Sequence, residues 1–304
     1  MRKILKLFLA ICFGFLVPQA AFSQDWSDVD IRQIKPGMTY AEVEALVAQQ
    51  WPQVQLRKEF YTLRFQKESF RYIAKVSFKT YGEKSESLTI QFFPPKSMDA
   101  GDGASRVKHI NRYIHFEKKQ ILIAPFVKKL ITKYGPATVE VEAEGSNDGV
   151  TWLFDADQKL LDHQRLKNLL DQTLQACGFI NVKGEDLIVY KRTRSHNRSH
   201  RDLQYKWSRL ARDCRDKKLS QTLMKLFSCS QGQKSDFCPA SLRYQWRKIR
   251  GVNELMNGFY VLLDGGRPQR DKDRALQANL QKELKARALV IMKKRGSTGS
   301  EIDL

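Results

Sequence analysis

The sequence predicts an α+β protein: small helix-plus-antiparallel-sheet modules in front, and a disulfide-stapled basic half behind. Three observations carry that expectation. A capped helix start in residues 31–47 precedes segments that alternate apolar and polar residues, the order of an α+β unit. Four cysteines, Cys177, Cys214, Cys229 and Cys238, all fall in the second half. The charge is divided: residues 24–159 hold 20 Lys/Arg against 18 Asp/Glu, whereas residues 160–304 hold 30 against 15. At 304 residues, two domains or three small modules are expected.

Residues 1–23 read as a secretory signal. Arg2, Lys3 and Lys6 form a charged start, residues 7–17 an apolar core, and Ala21-Phe22-Ser23 a small-x-small site that places the cut after Ser23. The apolar run is shorter than the roughly 20 residues a membrane-spanning helix needs. The sequence around Cys12 lacks the small residue of a lipid-attachment site. A periplasmic or secreted chain with no transmembrane span after cleavage is therefore expected.

The front half divides at a Gly/Ser/Asp loop, giving residues 24–98 and 99–159. In the first part, Pro36-Gly37 marks a turn and Thr39 with Glu42 forms a capping box. Val43, Leu46 and Val47 then give one apolar helix face over about 40–49. Residues 60–65 (FYTLRF), 70–78 (FRYIAKVSF) and 88–93 read as strands. In the second of them the alternation places Phe70, Tyr72, Ala74, Val76 and Phe78 on one face. Pro94-Pro95 ends the run. A helix over 121–134, stopped by Gly135-Pro136, precedes strands at 137–143 and 149–154. Tandem duplication of the first module and coincidence of a common small-domain plan both account for that order.

The pattern Ile34, Gly37, Met38, Thr39, Glu42, Val43 resembles the opening helix of the small outer-membrane-assembly lipoproteins of the SmpA/OmlA (BamE) type. The resemblance covers residues 31–94. It implies a helical pair on a small antiparallel sheet, used for protein–protein contact rather than catalysis.

Residues 160–296 form the basic, cysteine-bearing region. It opens with an amphipathic helix over 163–177, followed by a strand at 186–192. Residues 191–218 hold 11 Lys/Arg against three Asp, and Leu203, Trp207, Leu210 and Cys214 make an apolar stripe along their helical part. Arg198, Arg201, Lys206, Arg209, Arg212 and Arg215 are the expected partner-binding cations, since clustered Lys/Arg attract acidic proteins and polyanions. A merely solvated basic face is the alternative. The cleaved chain would keep four of the five cysteines, and an even number in an oxidising compartment implies two disulfides, with three possible pairings. His196 and His200 have zinc-like spacing but no accompanying carboxylate or cysteine pair, and Asp155 with Asp157 reads as a turn. A strand follows at 242–246, and 252–264 reads as a long mixed strand or a strand plus a turn, broken by Gly265-Gly266. A helix over 271–294 comes next, and residues 297–304 are read as a disordered tail.

No catalytic, metal or cofactor motif is recognised. The expected function is that of an exported, non-catalytic binding or inhibitor-like protein with a basic surface for an acidic protein or anionic envelope component. Nucleic acid is a less natural partner after export. The alternatives are an envelope-assembly or structural factor near the outer membrane, and an unrecognised hydrolase.

Overall fold

Thr39 starts the first helix, α1 (Tyr40–Gln50), by the expected capping box. Its hydroxyl accepts from the Glu42 N–H at 3.3 Å, and the Glu42 carboxylate accepts from the Thr39 N–H at 2.6 Å. These bonds hold Glu42 below the ordinary glutamate range, the Thr39 backbone donor contributing most. Replacing Thr39 with alanine is expected to cost about 1 kcal/mol, read from urea unfolding. A change within 0.3 kcal/mol of zero, roughly the measurement error, would show that packing alone fixes this helix start.

The structure is a computed structural model and describes residues 26–143, 148–155, 157, 159–182, 190–192, 209–222, 240–249 and 252–298. The expected signal (1–23), Cys229 and Cys238 lie outside these residues. Along the chain come β1 (Arg57–Phe65), β2 (Glu68–Thr80), β3 (Lys84–Phe93), β4 (Arg106–Phe116), β5 (Ile121–Leu122) and α2 (Ile123–Tyr134). Then follow β6 (Val139–Ala143), β7 (Asp148–Phe154), β8 (Leu160–Leu161) and α3 (His163–Ala176). The chain closes with β9 (Tyr190–Arg192), β10 (Ser241–Ile249), β11 (Val252–Asp264) and α4 (Gly266–Thr298). This is an α+β fold.

The eleven strands among the described residues belong to one sheet, ordered β1-β2-β3-β4-β11-β10-β7-β6-β9, with β5 on β11 and β8 on β7. Pairing is antiparallel except between β6 and β9. The sheet runs across the loop between residues 98 and 99, because β4 pairs with β3 on one side and with β11 on the other. One face carries the main core. Tyr40, Val43 and Val47 of α1 and Leu130 and Tyr134 of α2 pack there with Leu88, Ile90, Ile110, Leu242 and Val261 of the sheet. Trp26, Val29, Ile31 and Ile34, ahead of α1, are buried in the same core.

The opposite face is covered in two places. Leu280 and Leu284 of α4 pack on Leu63 of β1, with Phe65 and Phe70 at the margin. Leu166, Leu170 and Leu174 of α3 pack on Leu153 and Leu161, together with Leu210. Cys177 and Cys214 close this second cluster with a disulfide, at a Cα separation of 4.9 Å.

Three sequence expectations are corrected. Phe70 and Tyr72 do not share a face with Val76 and Phe78. Opposite Glu59 and Phe60 stand Lys75 and Ile73, so Ala74 is the extra residue of a β-bulge. A bulge reverses the side-chain phase. Phe70 therefore turns toward α4, while Ile73, Val76 and Phe78 enter the main core. The last helix starts at Gly266 rather than 271, with the Asp264 carboxylate accepting from the Gly266 N–H at 3.0 Å and Pro268 tolerated in the first turn. That helix also runs to Thr298, beyond the point where a disordered tail was expected to begin.

Candidate functional site: a cationic cleft under a strained turn

Ahead of α1 the chain makes a tight reversal. Ile31 and Ile34 exchange backbone hydrogen bonds at 3.0 and 3.2 Å, and the two residues between them, Arg32 (φ 57°) and Gln33 (φ 66°), are both left-handed. Two-residue turns of this kind favour Asn-Gly or Gly-Gly, because a Cβ is crowded at positive φ. Here the surroundings hold two ordinary residues in place. The Gln33 N–H donates to the Asp30 carboxylate at 3.0 Å, Gln50 donates to the Arg32 carbonyl at 3.1 Å, and Tyr134 donates to the Asp30 carbonyl at 2.8 Å. Backbone strain that its neighbours enforce is common at functional sites. Gln33→Gly is expected to raise stability by about 0.5–1 kcal/mol, read from thermal unfolding. Destabilisation instead would mean that the Gln33 side chain supports the turn.

The turn overhangs a cleft of about 660 Å³, lined also by Gln49, Gln50 and Trp51 at the end of α1, and by Lys133 and Tyr134 at the end of α2. Arg112 of β4 and Tyr244 of β10 form its floor. Arg112 and Tyr244 share a face because both pair with Val261, the residue between them on β11.

Arg112 is buried, with a side chain 10% exposed, and its Nε donates to Glu86 of β3 at 2.5 Å; the Glu86 side chain is 3% exposed. Lys84 reaches the other Glu86 oxygen at 3.7 Å. Burial, opposed in part by Glu86, lowers the Lys84 pKa. Among the described residues Arg112 makes no other hydrogen bond. Its two terminal nitrogens are therefore left to the cleft, held in orientation by the carboxylate behind them.

The tyrosines complete the floor. Tyr134 commits its proton to the Asp30 carbonyl, so Tyr244, 3.2 Å away, is the donor between the two phenols. Burial raises the Tyr134 pKa to about 12 and the Tyr244 pKa well above the ordinary value, so both stay neutral. Arg32 lies 5.8 Å over the Trp51 ring, and Lys133 pairs with Asp30 at 3.0 Å.

The lining holds three cations, Arg32, Arg112 and Lys133, against the single carboxylate of Asp30. Both helices also bring C-terminal ends here, each carrying roughly −0.5 of a charge. The field in the cleft is thus positive by about one charge rather than two. What distinguishes the site is the fork geometry of Arg112, which suits two oxygens of a carboxylate or phosphate.

The expected partner-binding cations lie elsewhere. Arg209, Arg212 and Arg215 are exposed and do not line the cleft, and Arg209 sits 3.7 Å from Asp213. Arg198, Arg201, Lys206, His196 and His200 lie outside the described residues. Cys214 and Leu210 point inward, as the apolar stripe predicted. Asp155 serves its own turn, its carboxylate accepting from the N–H groups of Asp157 and Lys159 at 3.0 Å and from Arg165. The sequence reading missed Glu86 and Arg112, although both occupy inward phases of apolar alternation, beside Leu88-x-Ile90 and between Ile110 and Ile114.

No protein-family model, curated protein or solved structure matches this chain.

Proposed function

We propose that this chain is an exported, non-catalytic binding protein whose cleft takes the carboxylate of an acidic protein partner. The observation that carries the reading is Arg112: a buried guanidinium, fixed through Nε by Glu86, with its two remaining nitrogens at the floor of a cleft. Gln33, Gln49, Gln50 and Trp51 on the walls offer the amide and ring contacts that a peptide uses. The strongly basic second half, including Arg209, Arg212 and Arg215, steers an acidic partner toward the protein without itself recognising it. Export rests on the signal-like residues 1–23.

The test is titration of the mature chain with a glutamate-rich peptide at several salt concentrations. Arg32→Ala with Lys133→Ala is expected to weaken binding about tenfold, roughly 1.4 kcal/mol. Alanines at Arg209, Arg212 and Arg215 are expected to slow association and flatten the salt dependence while leaving affinity at moderate salt nearly unchanged. The reverse result, with the rear variants abolishing binding and the cleft variants neutral, would move the interface to the rear surface.

A further inference from the structure

Over one stretch α4 is apolar on every side. Residues 288–292 read Ala-Leu-Val-Ile-Met, and at 100° per residue these side chains encircle the helix. A helix lying on a sheet needs only one apolar stripe. Ala288 is buried and Ile291 half-buried, but Leu289 is 51% exposed, Val290 53% and Met292 49%. The β1–β2 turn, Gln66, Lys67 and Glu68, forms with Ala288, Ile291 and Met292 an open hollow of about 420 Å³. Earlier in α4 the exposed side carries Asp271, Lys272, Arg274 and Lys282, so the apolar ring is local to this end.

The charges around the ring are mostly positive. Lys67, Lys282, Lys285, Lys293 and Lys294 are exposed near it. Glu283 and Asp99 are both engaged by Arg287, at 2.6 and 2.7 Å, and Glu283 also accepts from the Met98 N–H at 3.1 Å, leaving Glu68 as the other nearby acid among the described residues. A second copy of the chain docking here by two-fold symmetry would bring these lysines together. An anionic surface would not. No helix among the described residues is long and apolar enough to cross a membrane. The geometry is that of an element lying at an interface, with apolar side chains entering and lysines at headgroup level.

We infer that the C-terminal end of α4 docks on an anionic lipid bilayer, inserting Leu289, Val290 and Met292 while Lys282, Lys285, Lys293 and Lys294 meet the headgroups. Apolar insertion and lysine attraction are each weak alone, and together they make binding selective for acidic lipid. The inference is independent of what the cleft binds.

The mature chain is tested by co-sedimentation with phosphatidylcholine vesicles made with and without phosphatidylglycerol. Binding is expected only with phosphatidylglycerol. Leu289→Gln/Val290→Gln/Met292→Gln, which leaves every charge and the buried Ala288 in place, is expected to reduce it at least tenfold. Lys293→Gln/Lys294→Gln is expected to weaken it several-fold. Sedimentation like wild type by the apolar triple variant would assign the binding to diffuse positive charge and overturn the inference. So would self-association in solution that the same triple variant abolishes, since that gives the patch to a second copy. Absence of sedimentation with either vesicle would overturn it too.

Discussion

Replacing Glu86 with glutamine is expected to cost about 3–5 kcal/mol of folding stability. Two cations depend on this carboxylate: Arg112 at 2.5 Å and Lys84 at 3.7 Å. Glutamine preserves the shape and can still accept a hydrogen bond, so the loss isolates charge. Arg112 cannot relieve its burial by losing a proton, because guanidinium stays charged at any ordinary pH. It would have to draw water into the core or move toward the cleft. The cost is that of leaving one charge unpaired and is not the worth of the pair, a distinction that the double variant tests. Glu86→Leu with Arg112→Met removes both charges and fills similar space, and buried ion pairs replaced in this way are often neutral or stabilising. Urea unfolding is expected to show most of the lost stability recovered. The same double variant should lose the binding of glutamate-rich peptide while remaining folded, which separates a structural role of the pair from its role as a receptor. If Glu86→Gln unfolds within about 0.5 kcal/mol of wild type, the range of a neutral surface change, the pair is already water-relaxed.

The same residues show what the amino-acid sequence can and cannot convey. The α1 start was legible because Thr39 and Glu42 are three positions apart and interact locally, so nothing distant can alter the reading. Strand β10 was legible because period-two alternation runs through residues 242–246, and β7 and β11 because short apolar runs lie between turn signals. The β2 pattern misled because Phe70–Phe78 alternates without a break; the bulge at Ala74 follows from how β1 pairs with it, and pairing is not a local property. Strand β4 went unread because its inward positions include Arg112, which looks like a surface residue until Glu86 is brought diagonally beside it on β3 from 26 residues away. The cleft as a whole is assembled from segments around Arg32, Gln50, Arg112, Tyr134 and Tyr244, so only the folded chain brings it together. Charge composition pointed to the second half, whereas the buried guanidinium at the floor of the cleft lies in the nearly neutral front.

Loss of the Cys177–Cys214 disulfide is expected to be the other large effect, destabilising its region by about 4 kcal/mol. The bond closes a loop with a sequence separation of 37, and loop-closure entropy for that length gives this magnitude on the chain-entropy model. Among the described residues the region has a small core of its own. Its cluster consists of Leu166, Leu170, Leu174 and Leu210 on Leu153 and Leu161, separate from the main core on the other face of the sheet. Cys177→Ala with Cys214→Ala should therefore release α3 and residues 209–222 locally before the sheet unfolds. Limited proteolysis is expected to cut this region in the double variant at protease levels that leave wild type intact, while strand content measured by circular dichroism is nearly unchanged. Simultaneous loss of the sheet would show that the two clusters unfold as one unit. The pairing also constrains the rest of the chain. Of the three ways to join Cys177, Cys214, Cys229 and Cys238 in two bonds, the one that contains Cys177–Cys214 joins Cys229 to Cys238. Peptide mapping of protein from an oxidising compartment is expected to recover both bonds. Recovery of four free thiols from the native host would refute export, and with it the reason for reading the basic half as a surface that meets envelope or extracellular acids.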